Sequence, residues 1–231
     1  MGSNRISFEH WLTLGLLALA GCAPVTPPPT PAAVAVAEPE PAQWQRIASA
    51  EDQDRIARLD SAWTAALGEA RSRGFTGAVA DEAELLDPAA ALPRAAPPPG
   101  PYHCRVIKLG IQGKGEGAYR AFPPFFCYVE AEGPLLTIVK QTGSQRPAGR
   151  LYPATDQRLI FLGTLALGDE QAPLPYGENP ARDMAGVVER VAPFRWRLVI
   201  PWPRTESKLD VFELVPVAPS ARLRRQTDGS L

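Results

Sequence analysis

The chain has 231 residues, of which 45% are hydrophobic and 21% charged, proportions close to those of soluble globular proteins. This length suffices for one domain with a substantial core, and the composition argues against disorder of the whole chain. A formal net charge of −1 provides no basic excess to neutralise phosphates, so the composition does not indicate a nucleic-acid partner.

Residues 1–22 have the layout of an export signal. A short positive start with Arg5 precedes an apolar run over residues 11–20, which is too short to cross a bilayer core of roughly 30 Å. The run ends in Leu19-Ala20-Gly21-Cys22, which resembles the lipobox of bacterial lipoproteins. The resemblance implies that residues 1–21 are a signal peptide and that Cys22 is acylated, with palmitate among the fatty acids.

Lipid on Cys22 would anchor the chain to a membrane, because several acyl chains together bind stably. The alternative is ordinary secretion with cleavage after Ala20, which would leave a free thiol at Cys22. In lipoproteins an Asp after the acylated Cys favours retention at the inner membrane, whereas Ala23 follows it here. We therefore expect a lipid-anchored protein of the bacterial cell envelope, on the periplasmic side and at the outer membrane.

Two segments are expected to lie outside the folded domain. Residues 22–42 begin with the lipidated Cys and continue as a Pro-rich tether, because each Pro favours extended backbone. Residues 218–231 follow the last predicted strand and are interpreted as a flexible tail.

Residues 43–100 are predicted to form a helical segment that ends in a Pro-rich boundary. Its best helix spans 49–73, with a capping-box start at Ser49 and Asp52. A shorter helical stretch is predicted near 80–91. Five apolar residues of the first helix share one face, which is expected to pack on the domain: Ile56, Leu59, Trp63, Leu67 and Ala70.

An antiparallel β domain is predicted over residues 101–217, where the hydrophobic period changes to two. The absence of helical patterns between the strands favours a mainly β (α+β) fold, in which the helices pack on a barrel-like meander of about eight strands. A β-sandwich is the alternative. The predicted strands are 102–109, 125–131, 134–140, 147–152, 157–167, 184–191, 194–202 and 209–217.

Cys104 and Cys127 are expected to form a disulfide, since thiols usually pair in an oxidising envelope. If the first two strands form a hairpin around Gly115 and Glu116, these two cysteines face each other directly. A redox or nucleophilic role is the alternative, but a C-x-x-C spacing is missing from the sequence.

Several catalytic classes are poorly supported. His103 is the one His expected in the mature chain, and its position next to Cys104 on a strand directs the two side chains to opposite faces. A G-x-S-x-G motif is missing from the sequence, and residues 110–117 lack the P-loop spacing. We therefore predict neither a cofactor nor a metal.

Two polar loops offer candidate binding residues. Arg146 and Arg150 can donate hydrogen bonds to an anion. Asp169, Glu170 and Asp183 gather carboxylate oxygens of the kind that hold calcium or act in hydrolysis, although their spacing matches no known loop. Solvated turns are the competing interpretation of both loops.

Several short stretches, taken together, resemble a known family. They are 54–63, 99–105, 140–146, 149–153, 161–164, 195–199 and 201–203. The family is an uncharacterised group of proteobacterial envelope proteins that carry a domain of unknown function, and the likeness covers roughly residues 44–217. It implies no activity. At the level of fold alone, the predicted chain also resembles small barrels of periplasmic metalloprotease inhibitors and lipocalin-like proteins, which is a weak basis for function.

These observations favour a non-catalytic binding module of the cell envelope that acts on a partner protein or a small ligand. One alternative is an envelope hydrolase of wall or glycan material that uses the acidic loops. Another is a structural subunit of an envelope assembly, with the helix at 49–73 as its docking face. Replacing Leu59 with Asp would separate the packing role of that helix from the docking role.

Overall fold

The computed structural model describes residues 42–168, 170 and 172–218. Four helices and a 3-10 turn (Ala83–Leu86) precede the sheet within this part of the chain. No helix among them is long and apolar enough to cross a bilayer. The helices are α1 Gln43–Ile47, α2 Ala50–Ala57, α3 Leu59–Ser72 and α4 Thr76–Asp81.

Nine antiparallel strands follow the helices in the described residues. They are β1 Gly100–Leu109, β2 Tyr119–Ala121, β3 Phe125–Glu132, β4 Leu135–Lys140, β5 Gln145–Pro153, β6 Leu159–Leu167, β7 Asp183–Ala192, β8 Arg195–Pro201 and β9 Leu209–Pro216.

Eight of the strands form a closed barrel, since β1 pairs with β3 on one side and with β9 on the other. The remaining strand, β2, pairs with the last residues of β1, where β3 does not reach. Closure pairs the edges that an open sheet would expose. The predicted mainly β fold with N-terminal helices and a barrel-like meander is confirmed.

The side chains of alternate strand residues form two separate cores. One fills the barrel interior and includes Tyr102, Phe161, Trp196 and Leu198. The other lies between the helices and the outer wall of the barrel, where Trp63 and Leu67 of α3 pack with Val199 and Val211. Strands such as β8 are therefore buried on both faces.

The helical segment departs from prediction at Arg58, where the predicted helix 49–73 divides into α2 and α3. The Arg58 carbonyl accepts a hydrogen bond from Trp202 Nε1 at 3.4 Å, a contact from outside the helix that sequence spacing cannot reveal. The predicted start is confirmed, because the Ser49 side chain accepts a hydrogen bond from the Asp52 N–H. The apolar face of α3 is buried against the barrel, as expected, so it is not available for docking.

The disulfide between Cys104 and Cys127 is confirmed and lies inside the barrel. The predicted register was wrong by two residues: β1 and β3 pair Tyr102 with Cys127, so the bridge runs diagonally with Cα atoms 6.0 Å apart. The simple hairpin was also wrong, because β2 intervenes. His103 lies on the outer face, opposite to Cys104, as alternation predicts.

Candidate ligand-binding site

One end of the barrel is closed and the other is open. At the closed end Tyr102 packs edge-on against Trp196, and its hydroxyl donates to the Pro98 carbonyl at 2.5 Å. At the open end, where β7 begins and β8 ends, a cavity of about 220 Å³ enters the interior. We call this cavity the cup. Apolar side chains from six strands form its floor: Val106, Pro147, Leu165, Met184, Ile200 and Phe212.

The cup exists because two strands separate at this end. The β7–β8 ladder reaches only as far as Val187 and Val199, whereas β7 continues to Asp183 and keeps its pairing with β6. On the other side of the gap, β8 ends at Pro201, and Pro203 soon follows. Proline has no N–H to donate to a ladder, so these two positions favour separation of the strands.

The loop between β8 and β9 borders the cup and is strained. Trp202 and Glu206 have φ values of 47° and 73°, which residues with a side chain rarely adopt. The loop is fixed by Gln112, which donates from its side chain to the Pro203 carbonyl at 2.8 Å and from its backbone to the Glu206 carbonyl at 3.1 Å. Backbone strain held in place by surrounding contacts is a feature of binding sites.

A buried ion pair forms one wall of the cup. The ammonium of Lys108 lies 2.9 Å from the Asp210 carboxylate and 3.3 Å from Glu206, and Ser207 also donates to Asp210. Burial raises the pKa of Asp210, and Lys108 opposes this. Burial also acts to lower the pKa of Lys108, but the two carboxylates outweigh it and the pKa is raised. The charge of Lys108 is therefore already compensated.

Lys140 lies near this pair, but no carboxylate of the described residues neutralises its positive charge. Its ammonium forms no ion pair with any carboxylate in the described residues and lies 4.2 Å from the centre of the Phe125 ring. Burial lowers the pKa of Lys140, and the charges of Lys108 and Arg146 lower it further. The neighbouring Gln145 side chain also lines the cup and has no hydrogen-bond partner in the part of the chain that is described.

The opposite rim carries Asp183 and Arg55. Asp183 accepts a hydrogen bond from the Gly177 N–H at 3.1 Å, and burial is the main cause of its raised pKa. Arg55 is held 2.7 Å from Asp52, whose other oxygen accepts a 2.6 Å hydrogen bond from the Tyr176 hydroxyl. These contacts attach α2 and the β6–β7 loop to the rim.

Arg146 and Arg150, the two arginines predicted to bind an anion, are each bound to other groups of the protein. Arg146 donates to the backbone carbonyls of Gly143, Gly168 and Glu170, and so connects the β4–β5 turn to the β6–β7 loop. Arg150 is exposed and lies 2.7 Å from Glu132, which neutralises it. Neither arginine lines the cup, and their predicted role stays a prediction.

The acidic residues of the β6–β7 loop have different environments. Glu170 pairs with Arg182 at 2.6 Å and accepts from the Leu167 N–H, and these bonds lower its pKa. Asp183 lines the cup, whereas Glu170 does not. Asp169 and the predicted lipidation site Cys22 lie outside the described residues. Within those residues, no three His, Cys, Asp or Glu side chains are grouped as they would be to hold a metal ion.

Sequence reasoning missed the polar wall of the cup. Lys108 and Asp210 occupy the same alternating face as the buried residues Val106 and Phe212 of their strands. A charged residue on an apolar face is a signal of either a buried ion pair or a strand end at an opening, and both apply here.

The comparisons with known proteins identify a family but no activity. The family described as Domain of unknown function (DUF4893) matches residues 44–214, and the chain belongs to this family. No curated protein and no solved structure gives a significant match to the chain.

Proposed function

We propose that this member of the DUF4893 family is a lipid-anchored protein of the bacterial cell envelope whose barrel is a non-catalytic binding module for a small ligand. The observation that carries the proposal is the cup, an apolar-floored opening of about 220 Å³ at one end of a barrel that is otherwise filled. Apolar cavities with a few polar groups at their rim are the usual form of small-molecule sites.

The barrel supports the cup rigidly. Each floor residue is paired with a residue of at least one neighbouring strand, which fixes the position of its backbone. Binding to a preformed cavity avoids much of the free energy that ordering a flexible site would cost. A ligand therefore needs only to displace water from the floor and to satisfy the polar rim.

The proposed location rests on Cys22 and on the disulfide. The lipobox-like residues before Cys22 would direct acylation, and the Pro-rich stretch to residue 42 would space the barrel from the membrane. The Cys104–Cys127 bridge supports export, since disulfides persist mainly in oxidising compartments.

Metabolic labelling with an alkyne analogue of palmitate tests the anchor. We expect the wild-type chain to incorporate the label and to sediment with membranes, and the Cys22→Ser chain to do neither. Equal labelling of the two chains would contradict acylation at Cys22.

Titration calorimetry with octanoate and 1-octanol tests the ligand site in the full chain carrying Cys22→Ser. A ligand of about ten non-hydrogen atoms that gains about 0.5 kcal/mol per atom has a Kd on the order of 0.2 mM. Leu165 is a half-buried residue of the floor, so Leu165→Trp would fill the cup and abolish binding. Val215→Trp, on the outer face of β9, is the matched control and should bind as the wild type does. Failure of both probes to bind the wild type would refute the site.

A second candidate is an envelope hydrolase, and one observation favours it. Asp183 and Asp210 both line the cup, and burial raises the pKa of each, as general acids require. Both carboxylates, however, have hydrogen-bond partners that give them structural roles. Hydrolysis of p-nitrophenyl glycosides by the wild-type chain, abolished by Asp183→Asn, would establish this alternative, and inactivity of the wild type would remove its support.

A further inference from the structure

Among the described residues, every positively charged side chain that lines the cup, except one, forms an ion pair with a carboxylate. Lys108 is paired with Asp210 as described above, and Arg55 is paired with Asp52. Arg182 lies 2.6 Å from Glu170, and Arg204 lies 3.1 Å from Glu51. Of the cup's cations in the described residues, Lys140 alone has no carboxylate partner.

Lys140 also lies where two cavities meet. Beside the cup is a second, more open cavity of about 270 Å³, which we call the side groove, with an apolar wall of Phe122, Pro123 and Phe125. Lys108, Lys140 and Gln145 line both cavities, together with Val106. A ligand that extends from the cup into the side groove therefore passes the ammonium of Lys140.

The local field favours a negative charge at this junction. Burial and the two nearby cations act against the charged form of Lys140. An anion placed beside the ammonium reverses both effects, because it supplies the missing opposite charge and replaces lost hydration. The unpartnered Gln145 amide is a second donor that reaches the same junction.

We propose that the ligand is an amphipathic monoanion whose charged group binds Lys140 and Gln145 at the junction and whose apolar chain enters the cup. This inference rests on the proposed function, since it names the chemistry of the same site. A carboxylate and a phosphodiester both meet the requirement. They differ in shape, because a phosphodiester carries a second apolar arm that the side groove would receive.

Three probes with the same eight-carbon chain distinguish the contribution of the headgroup charge from that of apolar burial: octanoate, 1-octanol and octylammonium. With the full chain carrying Cys22→Ser, calorimetry should show that octanoate binds about tenfold more tightly than octanol, because a charge-assisted hydrogen bond contributes this much. Octylammonium should bind most weakly. Dibutyl phosphate, with an apolar arm on each side of its charge, should bind more tightly than octanoate if the natural ligand is a phosphodiester, and less tightly if it is a carboxylate.

Variants of Lys140 test whether this residue causes octanoate to bind more tightly than octanol. Lys140→Met should abolish the preference, so that octanoate binds no more tightly than octanol, whereas Lys140→Arg should retain the preference. Arg71→Met is the control, since Arg71 is exposed on α3 and lines neither cavity. Saturable octanol binding by Lys140→Met would also show that the variant folds.

The outcomes distinguish the two claims. If octanoate and octanol bind the wild type equally, or if Lys140→Met keeps the preference, the monoanion inference is overturned while the ligand site stands. If none of the probes binds, the proposed function itself fails.

Discussion

Arg197 is the largest fully buried side chain in the described part of the fold. It is fully buried on the outer wall of the barrel, where its guanidinium lies 2.7 Å from Glu189. It also donates to the carbonyls of Leu85 and Asp87 at 3.0 and 2.7 Å, and it lies 4.9 Å from the Trp63 ring centre. One side chain thus fastens the segment after α4 to the barrel.

Arg197→Met is expected to lower the free energy of unfolding by about 3 kcal/mol, because it removes the partner of one oxygen of buried Glu189 and the hydrogen bonds to the segment after α4. The other Glu189 oxygen keeps Arg158 at 2.7 Å, so the carboxylate is not left wholly unpaired. Urea denaturation followed by circular dichroism measures this loss. Arg190→Met is the control, since Arg190 is partly exposed and its side chain donates to the Pro93 carbonyl alone within the described residues, so this variant should lose less than about 1 kcal/mol. Similar losses for the two variants would contradict the role of Arg197.

The sequence predicts the direction of residues on β8 but not their burial. Alternation places Trp196 and Leu198 on one face and Arg195 and Arg197 on the other, and the structure confirms this arrangement. Alternation alone suggests that the arginine face meets solvent. It cannot reveal that helices distant in sequence cover this face and supply acceptors for Arg197.

Among the elements, α3 connects the helical segment to the barrel. Leu59 begins it and is buried in the outer core, with a relative exposure of 3%. Leu59→Asp would bury a carboxylate and remove an apolar side chain, so we expect a loss of about 3 kcal/mol or more and a clear fall in Tm.

Ser61→Asp is the matched control for Leu59→Asp, because Ser61 is exposed on the same helix. Its Tm should stay near that of the wild type. If Leu59→Asp also left the Tm unchanged, the helix would not be packed on the barrel, and a docking role for its apolar face would regain support.

The strand pattern was predictable because turn residues separate the apolar runs, and eight strands were located within a few residues of their observed limits. The ninth, β2, was missed because it has only three residues between Gly117 and Pro123. Because β2 occupies part of the segment between β1 and β3, the two strands are not joined by a simple hairpin turn. The register predicted from such a hairpin was therefore wrong.

For the barrel as a whole, the disulfide is the main covalent constraint. It closes a loop with a sequence separation of 23 between neighbouring strands. The chain-entropy account gives about 3 kcal/mol for a loop of this size. Replacing both cysteines with Ala, which buries no new polar atom, should therefore lower the free energy of unfolding by about this amount, measured by urea denaturation without reductant. Adding reductant should destabilise the wild type to the same level and leave the double variant unaffected, and a reductant effect on the variant would contradict this account.

The cup could not be predicted from sequence because it belongs to the whole molecule. Its floor draws residues from β1, β5, β6, β7, β8 and β9, which meet only when the barrel closes. Its opening depends on how far the β7–β8 ladder extends, and patterns of hydrophobicity do not encode that limit. The predicted loop residues, by contrast, were chosen from local composition, and of those that the structure describes only Asp183 lines the cup.

The most direct test of the ligand site uses Met184, which lies on the floor of the cup and is one of two methionines in the chain, the other being Met1. Labelling the methionine methyl groups with ¹³C in the Cys22→Ser chain therefore places a nearly unique NMR reporter inside the cavity. Titration with octanoate should shift the Met184 methyl resonance saturably, and Leu165→Trp should abolish the shift. A Met184 resonance that stays in place up to several millimolar octanoate, well above the expected Kd, would contradict the claim that the barrel binds a ligand in the cup.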